Sequence, residues 1–492
     1  MLFRSGKLAL KIRRIFRFLS IISAATSASM VLPLLWSFAE GEPDKTPLLF
    51  AILSGVAASG VLALIGRGTS LKEMNLRESI LSVVLSWVTV SLVGGLPYLH
   101  CGAVSSFLDA FFEAISGFTT TGASIILDLN MVPRSVLLWR SFTQWLGGIG
   151  IIVLMLAFLP ISDGGMYLYK AEVPGPVHDK MAPRMQQNAL LLGRMYLMLT
   201  ISLVILLSLG GLDLFDSLTL AFSTVATGGF SPYYDNVGHF NSDYVKIVVA
   251  VFFFLSGTNF TLYYLAISQR TLRPIREDPE LSFYVKTLLV FGLLTSAVLY
   301  KSRIYTSVAE ALGEGFFHTA STLSTCGFFI SDHDTWPASA RFLMLLLMFC
   351  GGCALSSSGG ITCIRLQIVI RHVRDEFFRK LNPRAVLPTR LGKDVVESWV
   401  VSGCFAFFAA YMGIFSLGFL LACLFGQDLD TALFGVAATL GNIGPGYAMV
   451  ESAQSYAMQP DSIKLLYIAL MLCGRLEIFT LLVVFTPSFR RV

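Results

Sequence analysis

The chain has 492 residues, 55% hydrophobic and only 14% charged, with a formal net charge of +5 and a mean hydropathy of +0.71. Soluble globular domains carry about 25% charged residues, and the shortage here runs the whole length, which excludes a separate soluble domain. A bilayer span needs roughly 20 mainly apolar residues, so the composition points to an all-α polytopic membrane protein.

Apolar stretches recur at Phe18–Ala39, Leu48–Gly66, Ile80–Cys101, Val136–Pro160, Ala189–Leu212, Val245–Ser268, Leu288–Tyr300, Phe342–Ile364, Trp399–Phe425 and Leu465–Phe485. The first exceeds the roughly 7–15 residues of a signal-peptide core and reads as a retained span. Leu288–Tyr300 reaches span length only if extended back to Leu281, past Lys286. If these spans alternate with the N-terminus inside, most Lys and Arg fall on the inner side. They lie in Arg4–Arg17, Arg67–Arg77, Lys170–Arg194, Arg270–Lys286, Arg371–Lys393 and at Arg490 and Arg491. That asymmetry predicts cytoplasmic termini. The positive charge reads as a topology signal and a contact with anionic membrane lipid, with no nucleic acid as partner.

Eight cysteines and six histidines offer no disulfide framework and no metal-ligand spacing. Cys350 and Cys353 form a C-x-x-C inside an apolar stretch with no second pair, which reads as helix packing. No G-x-x-x-x-G-K-[ST], H-E-x-x-H or G-x-S-x-G pattern is present, so an enzyme is not expected. A secondary transporter of another cation or a small solute is the alternative, but it would more naturally show two inverted halves.

The chain instead repeats one layout four times. Each unit has a span, a short apolar-rich stretch, a loop containing glycine and usually threonine, and a second span. The loops are Ser116–Ser124, Ser223–Ser231, Ser321–Phe329 and Ala438–Gly446, recurring at roughly one hundred residues. Aligned on one glycine, the cores read Thr120-Thr121-Gly122-Ala123, Ala226-Thr227-Gly228-Gly229, Thr325-Cys326-Gly327-Phe328 and Asn442-Ile443-Gly444-Pro445. The stretches before them, Ser105–Phe118, Asp213–Val225, Tyr305–Leu323 and Leu429–Leu440, are too short to cross. A helix of about a dozen residues rises about 18 Å against a hydrocarbon core of about 30 Å. Such segments enter part way and return, which is tolerated only where backbone is buried in protein or lines a water-filled cavity.

The expected fold is therefore four M1–pore loop–M2 repeats around one pore: 73–162, 185–270, 279–372 and 394–492, preceded by two extra transmembrane helices in 1–72. A dehydrating potassium ion needs several oxygens at fixed spacing, which backbone carbonyls facing an axis provide. Glycine admits the positive-φ conformations that turn successive carbonyls inward. The C-terminal ends of the short helices carry partial negative charge, which favours a cation beneath the loops.

These residues carry a family resemblance. The chain resembles the Trk/Ktr/HKT superfamily of potassium transporters, in particular its TrkH-type membrane subunits, over nearly its whole length. The similarity rests on Glu113-Ala-Ile-Ser-Gly-Phe-Thr-Thr-Thr-Gly122, Trp145-Leu-Gly-Gly-Ile-Gly150, Ala226-Thr-Gly-Gly-Phe-Ser231, Gly351-Gly-Cys-Ala-Leu-Ser-Ser-Ser-Gly-Gly360, Gly441-Asn-Ile-Gly-Pro-Gly446 and Gly474-Arg-Leu-Glu-Ile-Phe479. The resemblance implies a homodimer in a bacterial inner membrane, with K+ as the permeant ion and no other cofactor. It also implies a ring of cytoplasmic nucleotide-binding (TrkA-like) regulatory subunits. In related plant proteins, serine at the first filter glycine goes with sodium transport, so Gly122 favours potassium. Cys326 and Ile443 make the fourfold symmetry approximate, and backbone carbonyls are the expected ligands.

Gly351, Gly352, Ser356, Ser357, Ser358, Gly359 and Gly360 interrupt the third unit's second span. Each interior glycine costs a helix about 1 kcal/mol relative to alanine, which predicts a break near mid-membrane; close packing by small residues is the other reading. The resemblance implies that this loop obstructs the pore beneath the filter, with Arg475 beside it as an electrostatic barrier. An intramembrane charge is a functional candidate by default. Glu477, two residues on, faces another side of the helix, which leaves Arg475 alone or paired with Glu113 or another acid. Glu113 itself reads as a structural hydrogen-bonding acid near the filter, and Arg365 as a side chain snorkelling to the cytoplasmic face. The basic loops Gly164–Arg184 and His372–Lys393 suit either a docking surface for the regulatory ring or solvated topology determinants.

Overall fold

The computed structural model describes residues 12–71, 74–150, 185–332, 335–382, 388–392, 394–444 and 456–490. The inner loop Gly164–Arg184 and the end of the expected span Val136–Pro160 lie outside the described residues. Helices dominate, apart from a two-residue antiparallel ribbon pairing Arg390 with Val395 and Leu391 with Asp394.

A leading hairpin, Ile12–Ser29 continued by Val31–Glu40 and then Lys45–Ile65, packs on the first unit. Small residues allow the close approach: a Cβ on Gly55 would collide with the Ser27 hydroxyl, and one on Gly66 would lie 2.6 Å from the Arg17 backbone nitrogen. Two polar clasps fix the hairpin. At one end, buried Arg14 lies 3.3 Å from Glu78, whose carboxylate also completes a capping box with Asn75. At the other, Glu42 accepts from the Arg134 and Ser135 N–H groups at 2.8 and 3.1 Å, and Asp44 accepts from the Ser135 and Ser37 hydroxyls.

The first spans of the four units are Leu76–Gly94, Met185–Leu209, Pro279–Lys301 and Ser398–Leu424. The stretch at Leu288 is thus part of one continuous helix that carries Lys286 within it. The leading hairpin covers the first of these spans. The later ones expose apolar side chains such as Ile201, Ile205, Leu289, Leu293, Leu417 and Leu420, as a lipid-facing surface must.

Four short helices follow: Phe107–Phe118, Leu214–Val225, Val308–Leu323 and Leu429–Leu440. Each starts at a side-chain cap. Ser106, Asp213, Ser307 and Asp428 accept backbone N–H bonds at 3.0, 2.7, 3.2 and 3.1 Å, replacing partners a first turn lacks. The expected re-entrant stretches match these helices to within three residues.

The second spans differ from expectation. Among the described residues six helices are long and apolar enough to cross a membrane, or up to eight if two bent pairs each count as one span. The stretch Val245–Ser268 is Asp243–Ser256 and Phe260–Ser268, bent by 90°, and Leu465–Phe485 is Asp461–Arg475 and Phe479–Phe485, bent by 114°. Phe342–Ile364 is an 11-residue helix, Ala338–Met348, followed by irregular chain up to the helix Cys363–Leu381. A break was expected in the third unit alone, yet the second and fourth units break as well. In the second unit Gly257 ends the helix and Asn259 caps the next by accepting from the Thr261 N–H at 2.9 Å. In the fourth, Glu477 and Ile478 both take positive φ, 52° and 51°.

Removing one partner of a buried ion pair typically costs about 3–5 kcal/mol. Glu78→Ala, which takes from Arg14 this counter-charge and from Asn75 its capping partner, is expected to lower the melting temperature of the detergent-solubilised protein by several degrees. Glu40→Ala, at an exposed pair with Arg134, is expected to leave it nearly unchanged.

A candidate ion-conduction site

Every short helix ends in the same backbone device. Thr120, Thr227, Thr325 and Asn442 adopt positive φ, 52°, 52°, 58° and 53°. Their N–H groups bond carbonyls three residues back, at Gly117, Thr224, Thr322 and Thr439. The next residue's N–H bonds back to Ser116, Ser223, Ser321 or Ala438 at 2.9 Å in each case. This is the paired closure that satisfies a helix's last carbonyls through a left-handed residue just past its end. Glycine or asparagine usually takes that place. Three of the four residues here are β-branched, for which positive φ is an outlier.

Two residues further on, Gly122, Gly229, Gly327 and Gly444 again have positive φ, 83°, 79°, 77° and 96°. This corrects the alignment of the second loop by one residue. Gly228 stands level with Thr121, Cys326 and Ile443, and Ala226 with Thr119, Ser324 and Gly441, at the helix caps. Two adjacent glycines cannot be told apart by composition; only the dihedral angle decides.

The loops meet one another in chain order. A Cβ on Gly122 would strike the carbonyl oxygen of Gly228, one on Gly229 that of Cys326, and one on Gly444 that of Thr121. The fourth loop thus returns to the first, and Asn442 ties them further by donating to the Thr121 hydroxyl at 2.9 Å, while its bond to the Met471 carbonyl at 3.0 Å anchors it within its own unit. The third and fourth units share one apolar cluster that includes Leu323, Ala437, Ala438 and Ile443. The expected candidates Thr120, Thr121, Gly122, Thr227, Gly228, Thr325, Cys326, Gly327, Asn442, Ile443 and Gly444 are all brought together, with Gly229 added.

A polar scaffold stands behind this ring. Glu113 accepts from the Ile125 N–H at 2.8 Å, the Ser124 hydroxyl at 3.2 Å and Arg140 Nε. Arg140 donates in turn to the Ser231 carbonyl at 2.8 Å and covers the Phe230 ring at 3.6 Å. Gln144, fully buried, grips the second loop by donating to the Gly228 carbonyl and accepting from the Phe230 N–H at 3.1 Å. Asn236 donates to the Gly229 carbonyl at 3.3 Å and Tyr456 to that of Gly444 at 2.8 Å. Glu113 thus has the structural place expected of it. Arg140 went unread, although a lone arginine in the apolar stretch Val136–Pro160 was itself the signal.

The segment Gly351–Gly360 packs against the ring. It folds back on itself through the Gly351 N–H to Ile361 carbonyl bond at 2.8 Å, and a Cβ on Gly351 would collide with the Gly359 carbonyl. Its outward bonds run to three units. Gly359 N–H donates to the Thr325 hydroxyl at 2.8 Å, Cys353 N–H to the Gly257 carbonyl at 2.8 Å and Ser357 N–H to the Ser256 carbonyl at 3.2 Å. Arg475 bridges segment and ring, donating to the Ser357 carbonyl at 3.1 Å and the Thr120 hydroxyl at 3.2 Å, with further bonds to the Gly147 and Gly148 carbonyls. A cavity of about 80 Å³ adjoins it, lined by Tyr196, Phe260, Ser356, Ser358, Gly359 and Arg475 among others.

The fate of the other intramembrane charges differs from expectation in one case. Arg365 does not snorkel. It makes two bonds to the Glu477 carboxylate, 3.2 and 2.8 Å, and lies 4.1 Å over the Phe407 ring.

A family model described as a cation transport protein, TrkH, matches residues 52–490. The chain is 38% identical over 422 residues to the Trk system potassium uptake protein TrkH of Salmonella typhimurium, covering 85% of this chain and 87% of that protein. It is 36% identical over 487 residues to TrkH of Halomonas elongata, covering 98% and 100%. The crystal structure of the potassium transporter TrkH from Vibrio parahaemolyticus superposes with a TM-score of 0.88 at 33% identity, over 98% of this chain and all of that one. With its multi-pass helical fold, its four-loop ring and these relatives, the chain belongs to the TrkH family of cation transport proteins.

Proposed function

We propose that this protein takes up potassium through one pore, with the loops at Gly122, Gly229, Gly327 and Gly444 as its selectivity filter. The observation that carries this reading is the cyclic abutment of the loops, in which the carbonyls of Thr121, Gly228 and Cys326 each meet a positive-φ glycine of a neighbouring loop. Peptide oxygens at that spacing replace the water of an entering cation. The named relatives are potassium uptake proteins, which makes potassium the favoured ion.

In this reading units 73–162, 185–270, 279–372 and 394–492 form the four quarters of the pore. Gly351–Gly360 is a gate that sits across the permeation path, and Arg475 sets a positive charge there that repels cations until both move. The basic connections support cytoplasmic termini and a bacterial inner membrane. There a nucleotide-binding regulatory partner of a homodimeric transporter would move the gate. The relatives' description as parts of a Trk system supports a multi-component assembly.

Two experiments on purified protein in liposomes test this. In the first, Gly229→Ala forces a methyl onto both a left-handed backbone and the neighbouring Cys326 carbonyl. It is expected to reduce the potassium-to-sodium flux ratio by about tenfold. Gly228→Ala, whose backbone is not left-handed and whose methyl would displace the Gln144 side chain first, is expected to reduce that ratio less; the reverse order would refute the filter register. In the second, alanine at Gly351 and Gly359 prevents the segment from folding on itself. Rubidium uptake is expected to rise about fivefold or more, equivalent to about 1 kcal/mol in the closed–open balance, at unchanged ion preference. Unchanged uptake would remove the segment from gating.

A further inference from the structure

One buried carboxylate has no part in the ring, yet it touches both the proposed gate and the helix that follows it. Glu280 is the second residue of the helix Pro279–Lys301 and is only 4% exposed. A single oxygen of its side chain accepts from the Ala354 N–H at 2.8 Å and from the Ile364 N–H at 3.0 Å. Ala354 lies near the start of the irregular segment, and Ile364 in the first turn of the helix that ends it. The N–H groups of a first turn lack partners within their own helix, and Thr362 at that helix start makes no side-chain cap bond. Glu280 supplies the cap from another helix, and a negative charge at a helix N-terminus is favourable in itself. The neighbouring Pro279 carbonyl reinforces the joint by accepting from Gln367 at 3.2 Å.

Burying a carboxylate is costly unless it is well bonded. Two backbone amides converging on one oxygen compensate for that burial only while the segment keeps its folded shape. Straightening the chain between Ala354 and Ile364 would separate the two donors and leave the charge exposed to an apolar surround. The helix that bears Glu280 is preceded by the short exposed helix Arg273–Glu277, in a connection rich in arginine. A displacement of that connection would therefore reach Ala354 and Ile364 through one side chain.

We propose that Glu280 is a latch: a positioning residue that holds Gly351–Gly360 in its pore-blocking shape and couples the segment to the start of the helix Pro279–Lys301. The proposal rests on the gate reading above. Charge-assisted hydrogen bonds are roughly twice as strong as neutral ones. Glu280→Gln, which keeps the shape and one acceptor oxygen, should therefore loosen the latch, and Glu280→Ala should release it.

The test uses the full chain in liposomes and two readouts. One is the rate at which a water-soluble thiol reagent modifies Cys353, which is 1% exposed in the latched segment, followed by peptide mass mapping. The other is rubidium uptake with the potassium-to-sodium ratio. Expected are a rise in Cys353 modification of about tenfold for Gln and more for Ala, as for a local opening. Uptake should rise in the same order at constant ion ratio. Modification at the unsubstituted rate in both variants overturns the latch. Faster modification with unchanged uptake sustains the latch and overturns the gate reading. A joint fall in uptake, ion ratio and melting temperature overturns the latch in favour of a purely structural cap. If the alanine variant does not fold, the isosteric glutamine variant decides alone.

Discussion

The left-handed turn that closes each short helix is the constraint on which the rest depends. A helix that stops inside a membrane leaves its last carbonyls with no water to bond. Here the two residues after each helix cap return their N–H groups to the final turn, so the helix ends at little hydrogen-bond cost. The chain then leaves in a direction that a further helical residue could not take. That direction brings Gly122, Gly229 and Gly444 each against a neighbouring loop's carbonyl. Thr120, Thr227 and Thr325 hold this conformation against the preference of a branched side chain, at about 1–3 kcal/mol each. Two of their hydroxyls serve as acceptors, Thr120 for Arg475 and Thr325 for the Gly359 N–H of the adjoining segment. Glycine at those places would relieve the strain and lose both contacts.

The interrupted second spans follow from the same rule applied to the other wall of the pore. A broken helix frees backbone groups that must find partners within the protein. The breaks satisfy one another across units. Carbonyls of Ser256 and Gly257 in the second unit take N–H groups of Ser357 and Cys353 in the third. Carbonyls of Gly147 and Gly148 in the first take Arg475 of the fourth. No break is stable alone. The irregular chain of the third unit is the piece onto which the breaks of the second and fourth units close.

What could be read in the sequence divides along physical lines. The four-unit period was legible because spans, caps and glycine loops are local patterns of residue type. The capped short helices were legible to within three residues for the same reason. The register of the second loop was not, because Gly228 and Gly229 differ only in φ. The break in the third unit announced itself through two glycine pairs. The break in the fourth did not, since Leu476-Glu477-Ile478 holds no residue that breaks a helix by its own preference. Arg365 was misread because its partner Glu477 stands 112 residues away in the chain. Glu280 carries no local signal in the sequence. Only the folded chain brings Ala354 and Ile364 onto it.

The four units are alike in backbone and unlike in what supports them. The residue five places before the end of each short helix is Glu113, Leu220, His318 or Gly435. Glu113 is locked to Arg140 and the Ile125 backbone. Leu220 sits in an apolar core, and His318 stands edge-on to Trp336 beside Glu314. At Gly435 the missing side chain makes room for the Tyr467 hydroxyl. The backbone ring demands only the turn and the glycine, so each unit is free to solve its outer packing with different chemistry. The charged solution falls on the first and second loops, where Glu113, Arg140 and Gln144 make a stiff joint. The third unit carries a long irregular segment in place of a continuous span. The ring is thus braced by charge on one side, while the segment packed against it is tied to its neighbours by hydrogen bonds of its backbone.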